Sequence, residues 1–242
     1  MNMYIHKLIK EQFSISDLDF SDDEYGYDVN IFNKNYNHPY YKKVLDGTVT
    51  ENEIKELNSL VSVAVPKDKS ELQKIIKLYS KRYPEYSLNW LCVFEITDMS
   101  HLFEKTKYNG NINMWDTSNV SDMSYMFYKA YDFNRPIGEW DVSNVTDMCC
   151  MFSFAHEFNQ PINSWVVSSV TNMRHMFYRA HSFNQSISEW DVSSVTDMKY
   201  MFSFTYNFNQ DISIWNISNK ADTYEMFYNC LIKEEYKPEK CR

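Results

Sequence analysis

Apolar positions in this chain recur at an interval too long for one helix or one strand. All six tryptophans, Trp90, Trp115, Trp140, Trp165, Trp190 and Trp215, lie 25 residues apart, and most positions between them repeat as well. Val120, Val145, Val170 and Val195 follow Trp by five residues, and Met123, Met148, Met173 and Met198 by eight. Met126, Met151, Met176, Met201 and Met226 come next, each followed by Phe; then Phe133, Phe158, Phe183 and Phe208; then Ile137, Ile162, Ile187 and Ile212. Such a period marks a solenoid, whose coils bury their apolar sides only by stacking on neighbours. The pattern predicts a right-handed, LRR-like repeat solenoid of five to six 25-residue coils, each with short parallel strands plus a helical turn. The strands are expected near 120–123 and its equivalents, the turn around 126–130 and an extended return through 134–140. Constant apolar positions would then form ladders with rungs about 4.8 Å apart. Nine of the thirteen methionines lie in them, which makes these residues core filler rather than metal or redox ligands.

The flanks depart from the period. Residues 1–55 read as an N-terminal arm, partly helical or mobile, with an amphipathic stretch through Tyr4, Leu8 and Phe13, an acidic run from Asp17 to Asp28 and a helix beginning at Glu51 and reaching Leu60. Residues 56–95 read as a strand-helix cap: Val61 to Val65 alternates and stops at Pro66, and Ser70 with Gln73 forms a capping box ahead of Leu72, Ile75, Ile76 and Tyr79. The solenoid proper covers 96–230. Its first coil is transitional, since Trp90 precedes Ile96 by six residues where later coils have five, and the stretch after Phe103 is one residue shorter. In the last coil Lys220 and Thr223 replace core residues, suiting a coil that closes the stack, and 231–242 reads as a charged tail.

Composition narrows the function. A net charge of −9 without a basic cluster argues against a nucleic-acid surface. Five irregularly spaced cysteines, including the adjacent pair Cys149 and Cys150, form neither a disulfide framework nor a CxxC metal site and read as reduced thiols. With no signal peptide, lipid anchor or long apolar run visible, the sequence reads as soluble and cytoplasmic, without membrane insertion. Gly26, Gly47, Gly110 and Gly138 are isolated, so no phosphate-cradling loop exists, and neither a GxSxG elbow nor an HExxH helix occurs. The carboxylates recur at turn positions instead of converging on one point, and no enzyme is expected.

Recurrent polar residues read as structural. Asn109, Asn134, Asn159, Asn184 and Asn209 would stack as an amide ladder. Ser118, Ser143, Ser168, Ser193 and Ser218, with Asp122, Asp147 and Asp197, would satisfy backbone donors at tight corners. A calcium site between the Asp residues would lack the glycine-rich loop such sites use, and Asn172 interrupts the row. Stacking also sets Cys150 beside His175 and His156 beside His181, but at different points of the coil, while structural zinc needs four convergent ligands. No cofactor or metal is expected.

The informative residues are those that vary on this constant frame. Between the paired methionines stand Ser124 and Tyr125, Cys149 and Cys150, Arg174 and His175, Lys199 and Tyr200; after the Phe, Tyr128, Ser153, Tyr178, Ser203 and Tyr228 alternate; farther on come Tyr131, His156, His181 and Tyr206. Tyr, His and Arg on an exposed face give the composition enriched at protein interfaces, although the same residues can simply pack over a neighbouring coil. The partner-binding candidates are Tyr125, His175, Tyr200, Arg174, Lys199, Tyr128 and Tyr178.

WDTSNVSDMSYMF, WDVSNVTDMCCMF, VVSSVTNMRHMF and WDVSSVTDMKYMF, each followed by a close copy of FNQPI, resemble the BspA-type leucine-rich-repeat surface-protein family, including the repeat regions of mycoplasma lipoproteins. The resemblance covers about 96–227, and VPKDKSELQKIIKLY looks like the lead-in often found before such repeats. It implies a non-enzymatic solenoid associated with adhesion or host-protein binding at a bacterial surface. The expected function is a protein-interaction module that presents an aromatic ladder to a protein or glycan partner, as a monomer or with weak self-association. The alternative is a structural or self-assembling repeat protein.

Overall fold

The computed structural model describes residues 40–57 and 64–242. The amphipathic stretch expected at Tyr4 to Phe13, the acidic run at 17–28 and most of the Val61 to Val65 strand lie outside the described residues.

Among the described residues three helices precede the repeats: α1, Tyr41–Leu45; α2, Glu51–Leu57; and α3, Lys69–Arg82. Leu72, Ile75, Ile76 and Tyr79 fall at helical spacing along α3 and are all buried. Asp68, not Ser70, is its N-cap: the Asp68 carboxylate accepts from the Glu71 N–H at 3.0 Å. Glu71 in turn accepts from the Lys67 N–H and from the Tyr41 hydroxyl, both at 2.9 Å, which fastens α1 to α3. Residues 40–55, expected as part of an arm, therefore belong to the core through Tyr41, Val44, Val49 and Ile54. Ala64 pairs in parallel with Leu91, so the cap joins the repeats through backbone as well as side chains.

Within the repeats the expected strands shrink to isolated parallel bridges: Asp98 to Asp122, Asp122 to Asp147, Asp147 to Asn172, Asn172 to Asp197 and Asp197 to Asp222. The reason lies in how the amides alternate. The N–H groups of Met123, Tyr125, Phe127 and Lys129 donate to carbonyls of the following unit, on Asp147, Cys149, Met151 and Ser153, at 2.8–3.0 Å. Those of Met126, Tyr128 and Ala130 donate back three residues, to Met123, Tyr125 and Phe127. Every second amide thus bonds the next unit and every other one closes a turn, so the segment is neither strand nor helix. Two of these turns need a left-handed residue at their third position, and Tyr125 at φ 57° and Lys129 at φ 57° supply it. The same two positions are left-handed in each unit, as Cys150 and Phe154, His175 and Arg179, Tyr200 and Phe204. None of these is β-branched, in keeping with the steric cost of that conformation.

Tryptophan sets the register. The indole N–H of Trp140, Trp165, Trp190 and Trp215 donates to the carbonyl of Ile112, Ile137, Ile162 and Ile187, in each case 28 residues earlier, at 3.0–3.1 Å. Each indole is therefore satisfied while buried and ties its unit to the preceding one. Trp90 has no preceding unit to bond, and its N–H reaches the Tyr79 hydroxyl of α3 at 3.0 Å. Phe103, Phe127, Phe152, Phe177, Phe202 and Phe227 stack with centroids 5.2–5.6 Å apart. The asparagine ladder is formed: the Asn134, Asn159, Asn184 and Asn209 amides each donate at 3.0 Å to the side-chain oxygen of the asparagine one unit earlier. In the transitional first unit Gly110 lies so close to Tyr86 that an added Cβ would sit 2.0 Å from its carbonyl oxygen. Later units carry Arg135, Gln160, Gln185 and Gln210 there.

Residues 231–242 are more than a charged tail. They form two short 3-10 turns, Glu234–Tyr236 and Glu239–Cys241, and bury Ile232. The Lys233 amide continues the asparagine ladder by donating to Asn209 at 3.0 Å, and Lys237 Nζ lies 5.9 Å from the Phe227 ring centre. The segment covers the ladder end that Lys220 and Thr223 leave polar. Among the described residues no helix is long and apolar enough to cross a membrane.

Two substitutions test this packing. Phe177, fully buried between Phe152 and Phe202, leaves a large cavity when cut to Ala, and Phe177→Ala is expected to cost about 3–5 kcal/mol in urea unfolding. An unchanged midpoint would mean the ladder is not buried. Lys129→Gly should be tolerated, whereas Lys129→Val should be less stable than the glycine variant by on the order of 1–2 kcal/mol, because valine is strained at positive φ. Equal stabilities would contradict the left-handed turn.

Candidate functional site

The turn segment that bonds unit to unit also decides which side chains face outward. Along 123–130 the side chains run buried, two half-exposed, two buried, two half-exposed, buried; 173–180 repeats this, while Cys150, Ser153 and Ser203 are buried in the units beside it. The outward pairs stand before and after the Met-Phe core pair, so the left-handed residues and their neighbours form the variable face.

The structure places Tyr125, His175 and Tyr200 in one column, but not as an unbroken stripe. Tyr125 stacks on His101 at 4.8 Å and His175 on Tyr200 at 4.9 Å, both nearly coplanar. Cys150, buried, stands between the two pairs. Arg174 and Lys199 are directed to the Asp row: Arg174 lies 3.9 Å from Asp197, and Lys199 lies 2.9 Å from Asp222. Their charges are partly neutralised within the protein, which weakens them as anchors for a partner. The Asp row itself holds backbone, since Asp122, Asp147 and Asp197 each accept from the amide two residues on at 2.7–3.0 Å. Among the described residues no group of three His, Cys, Asp or Glu could hold a metal ion.

Tyr128 and Tyr178 belong to a different arrangement, a zigzag of rings across five units. Tyr128, Phe154, Tyr178, Phe204 and Tyr228 meet edge to face at successive separations of 5.9, 5.4, 5.7 and 5.4 Å. Phe154 and Phe204 are the members that reading the sequence missed. Their signal is the two-residue alternation Tyr128-Lys129, Ser153-Phe154, Tyr178-Arg179, Ser203-Phe204: where a small, buried serine replaces Tyr, the next residue supplies the ring. The residues that share the left-handed position with the Phe are cations seated on the zigzag. Arg179 lies 4.7 Å from the Phe204 ring centre, 5.5 Å from Phe154 and 5.6 Å from Tyr178, and Lys129 lies 5.2 Å from Tyr128 and 5.3 Å from Phe154. His175 and Tyr125 join the same surface edge to face through Tyr178 at 5.2 Å and Tyr128 at 5.5 Å.

The family described as "Mycoplasma protein of unknown function, DUF285" matches residues 83–180 and, overlapping, 162–234, more than half of the chain. The chain belongs to the DUF285 family. Two overlapping matches fit a repeat protein, and together they take in the whole aromatic face. Comparisons with curated proteins and with solved structures returned no match.

Beside the zigzag, this DUF285 protein carries a third row, Tyr131, His156, His181 and Tyr206. The two imidazoles stack at 4.4 Å, with Tyr131 and Tyr206 at 4.9 and 5.0 Å on either side. Burial holds both imidazoles below their ordinary value; Arg179 lowers both further and His156 lowers His181, while Glu157 partly offsets the effect at His156. The folded state thus favours neutral rings. Their contribution to stability is fully present above about pH 6.5 and is lost as pH falls below that through the lowered folded values. Urea unfolding midpoints measured from neutral to mildly acidic pH should fall on the acid side in the native protein and fall less in the double variant His156→Phe, His181→Phe, which retains rings without protons. Identical acid-side slopes would show that the pair does not couple to folding.

Proposed function

We propose that this chain is a non-enzymatic protein-interaction module of the BspA-type, built as an LRR-like solenoid, whose aromatic face binds a protein or glycan partner. The observation that carries the reading is the connected, half-exposed network of Tyr, Phe and His rings with Arg179 and Lys129 among them. Such a network gives contact area with polar tips, and its ring-to-ring packing lowers the entropy cost of holding the rings in place when a partner docks. Parallel bridges at 25-residue intervals, with bonded amides behind the face, support the solenoid. The resemblance to adhesion-associated repeats, together with membership of a mycoplasma family, supports binding over chemistry. Like groups also recur in parallel instead of converging as an acid and a base.

Self-assembly through the ladder ends has less support. The first Trp is bonded to α3 and the last ladder Phe lies under Lys237, so both ends already have cover. Light scattering over a hundredfold concentration range should report a monomer; growth of mass with concentration would favour the self-assembling alternative.

A binding partner captured by pull-down provides the decisive comparison. Combined substitution of Tyr178, Arg179 and Phe204 by Ala should weaken its affinity by at least about 2 kcal/mol, the scale of an interface hot spot, in a protein that still unfolds cooperatively. Retained affinity would move the site to the column of Tyr125, His175 and Tyr200 or off this face.

A further inference from the structure

The outer face carries charge in a pattern that its ring network does not require. Three of its cations are answered within the protein: Lys105 lies 2.6 Å from Glu104, Arg174 3.9 Å from Asp197 and Lys199 2.9 Å from Asp222. The two seated on the zigzag, Lys129 and Arg179, pair with no carboxylate among the described residues and rest on rings instead. Arg179 is the more firmly held. Its guanidinium carbon is 4.7 Å from the Phe204 ring centre, the Phe154 and Tyr178 rings lie at 5.5 and 5.6 Å, and Nε donates to the Tyr178 hydroxyl at 3.3 Å. Three rings thus set the fork before a partner arrives, so little side-chain freedom is lost on binding. The residue is half-exposed, and its two terminal nitrogens donate to nothing among the described residues. A planar guanidinium with both terminal donors free can take a carboxylate through two parallel hydrogen bonds.

The carboxylates of the same face show the opposite imbalance. Asp132 and Glu157, which follow the third row in the units of Lys129 and Phe154, are exposed and pair with no cation among the described residues. Along the other margin Asp122 and Asp147 accept the Ser124 and Cys149 amides at 2.8 and 2.7 Å, and they too meet no cation among the described residues. The earlier units are therefore negative at both margins. Arg179 stands one unit beyond Glu157, where the positions equivalent to Asp132 and Glu157 have become uncharged, as Ser182 and Asn207.

We infer that this face takes a polypeptide segment of mixed charge, whose Asp or Glu side chain meets Arg179 while a Lys or Arg about two to four residues away meets Glu157 or Asp132. The inference rests on the interaction module proposed above and narrows its partner to a protein. With units about 4.8 Å apart, Arg179 lies roughly 5 Å along the stack from the rung of Glu157 and roughly 10 Å from that of Asp132. An extended chain advances about 3.3 Å per residue, which sets the spacing of its two charges. An acidic glycan offers carboxylates or sulfates to Arg179 but no cation to Glu157 and Asp132. A chain of net charge −9 also repels a polyanion as a whole.

The test pans a phage-displayed library of random dodecapeptides on the full chain and resynthesises the enriched peptides for fluorescence anisotropy. The expected peptides carry an Asp or Glu with a Lys or Arg about two to four residues away. Changing that Asp or Glu to its amide should weaken binding at least about tenfold, and Arg179→Gln should do the same. The two losses should not add, because either change removes the same contact. Glu157→Gln combined with Asp132→Asn should weaken these peptides several-fold and leave versions stripped of their Lys or Arg unaffected. Urea unfolding checks that each variant still folds cooperatively. Enriched peptides without the charge pair, or additive losses, would overturn the proposal. So would equal competition by a glucuronate-rich oligosaccharide, or by a synthetic peptide of residues 15–30, which is acidic and has no Lys or Arg. Failure to enrich any peptide would also overturn it, whereas the broader interaction module is decided separately, by the pull-down comparison with the triple variant at Tyr178, Arg179 and Phe204.

Discussion

Everything in this structure depends on how the backbone amides of one short segment are shared out. From each bridge residue onward, alternate N–H groups bond the following unit and the others close turns within their own. Neither set alone would fix the chain, because turns without neighbours are marginal and single bridges without turns slide. Together they leave the segment no free choice of register, and the price is two left-handed residues per unit. Ladder side chains then follow: with offsets fixed, Met, Phe and Trp meet their counterparts one unit away, and each indole finds a carbonyl 28 residues back.

The same constraint explains why the variable residues cluster. Positions whose side chains enter the ladders must repeat, since one misfit would disturb the unit on either side. Apart from the buried Cys150, Ser153 and Ser203, the left-handed residues and their partners face outward, and what they must supply is mainly a backbone conformation, so their chemistry is free to differ: Tyr, Cys, His and Tyr in one column, Lys, Phe, Arg and Phe in the other. A rigid frame with adaptable outward positions suits recognition, and the aromatic and cationic character of this face follows from what was placed there rather than from the fold.

Much of this could be read from the sequence. The Trp, Met, Phe and Ile ladders were legible because burial in a stack enforces identity at a fixed interval, and the asparagine ladder because its side chains repeat a backbone bond. The strands were not, since the left-handed turns are set by residues as unlike as Cys150, His175 and Tyr200, which share no composition signal. Ser70 fits a capping box by spacing, yet Asp68 stands two residues nearer the helix entry and takes the Glu71 amide. The last twelve residues looked merely charged because a few apolar contacts, chiefly Ile232 with the Tyr236 and Cys241 side chains against the core, do the packing. The zigzag stayed hidden because its members alternate between two positions, and a column read one position at a time shows Tyr and Ser where the space shows five rings.

Unit-to-unit bonding at a fixed offset is the central claim, and the indoles report on it directly. Nuclear Overhauser contacts from the Trp165, Trp190 and Trp215 indole N–H protons should reach protons of Ile137, Ile162 and Ile187 or of the residue following each, the partners of their hydrogen bonds. Indole protons that exchange freely with water, or that show contacts only within their own 25-residue unit, would contradict the account.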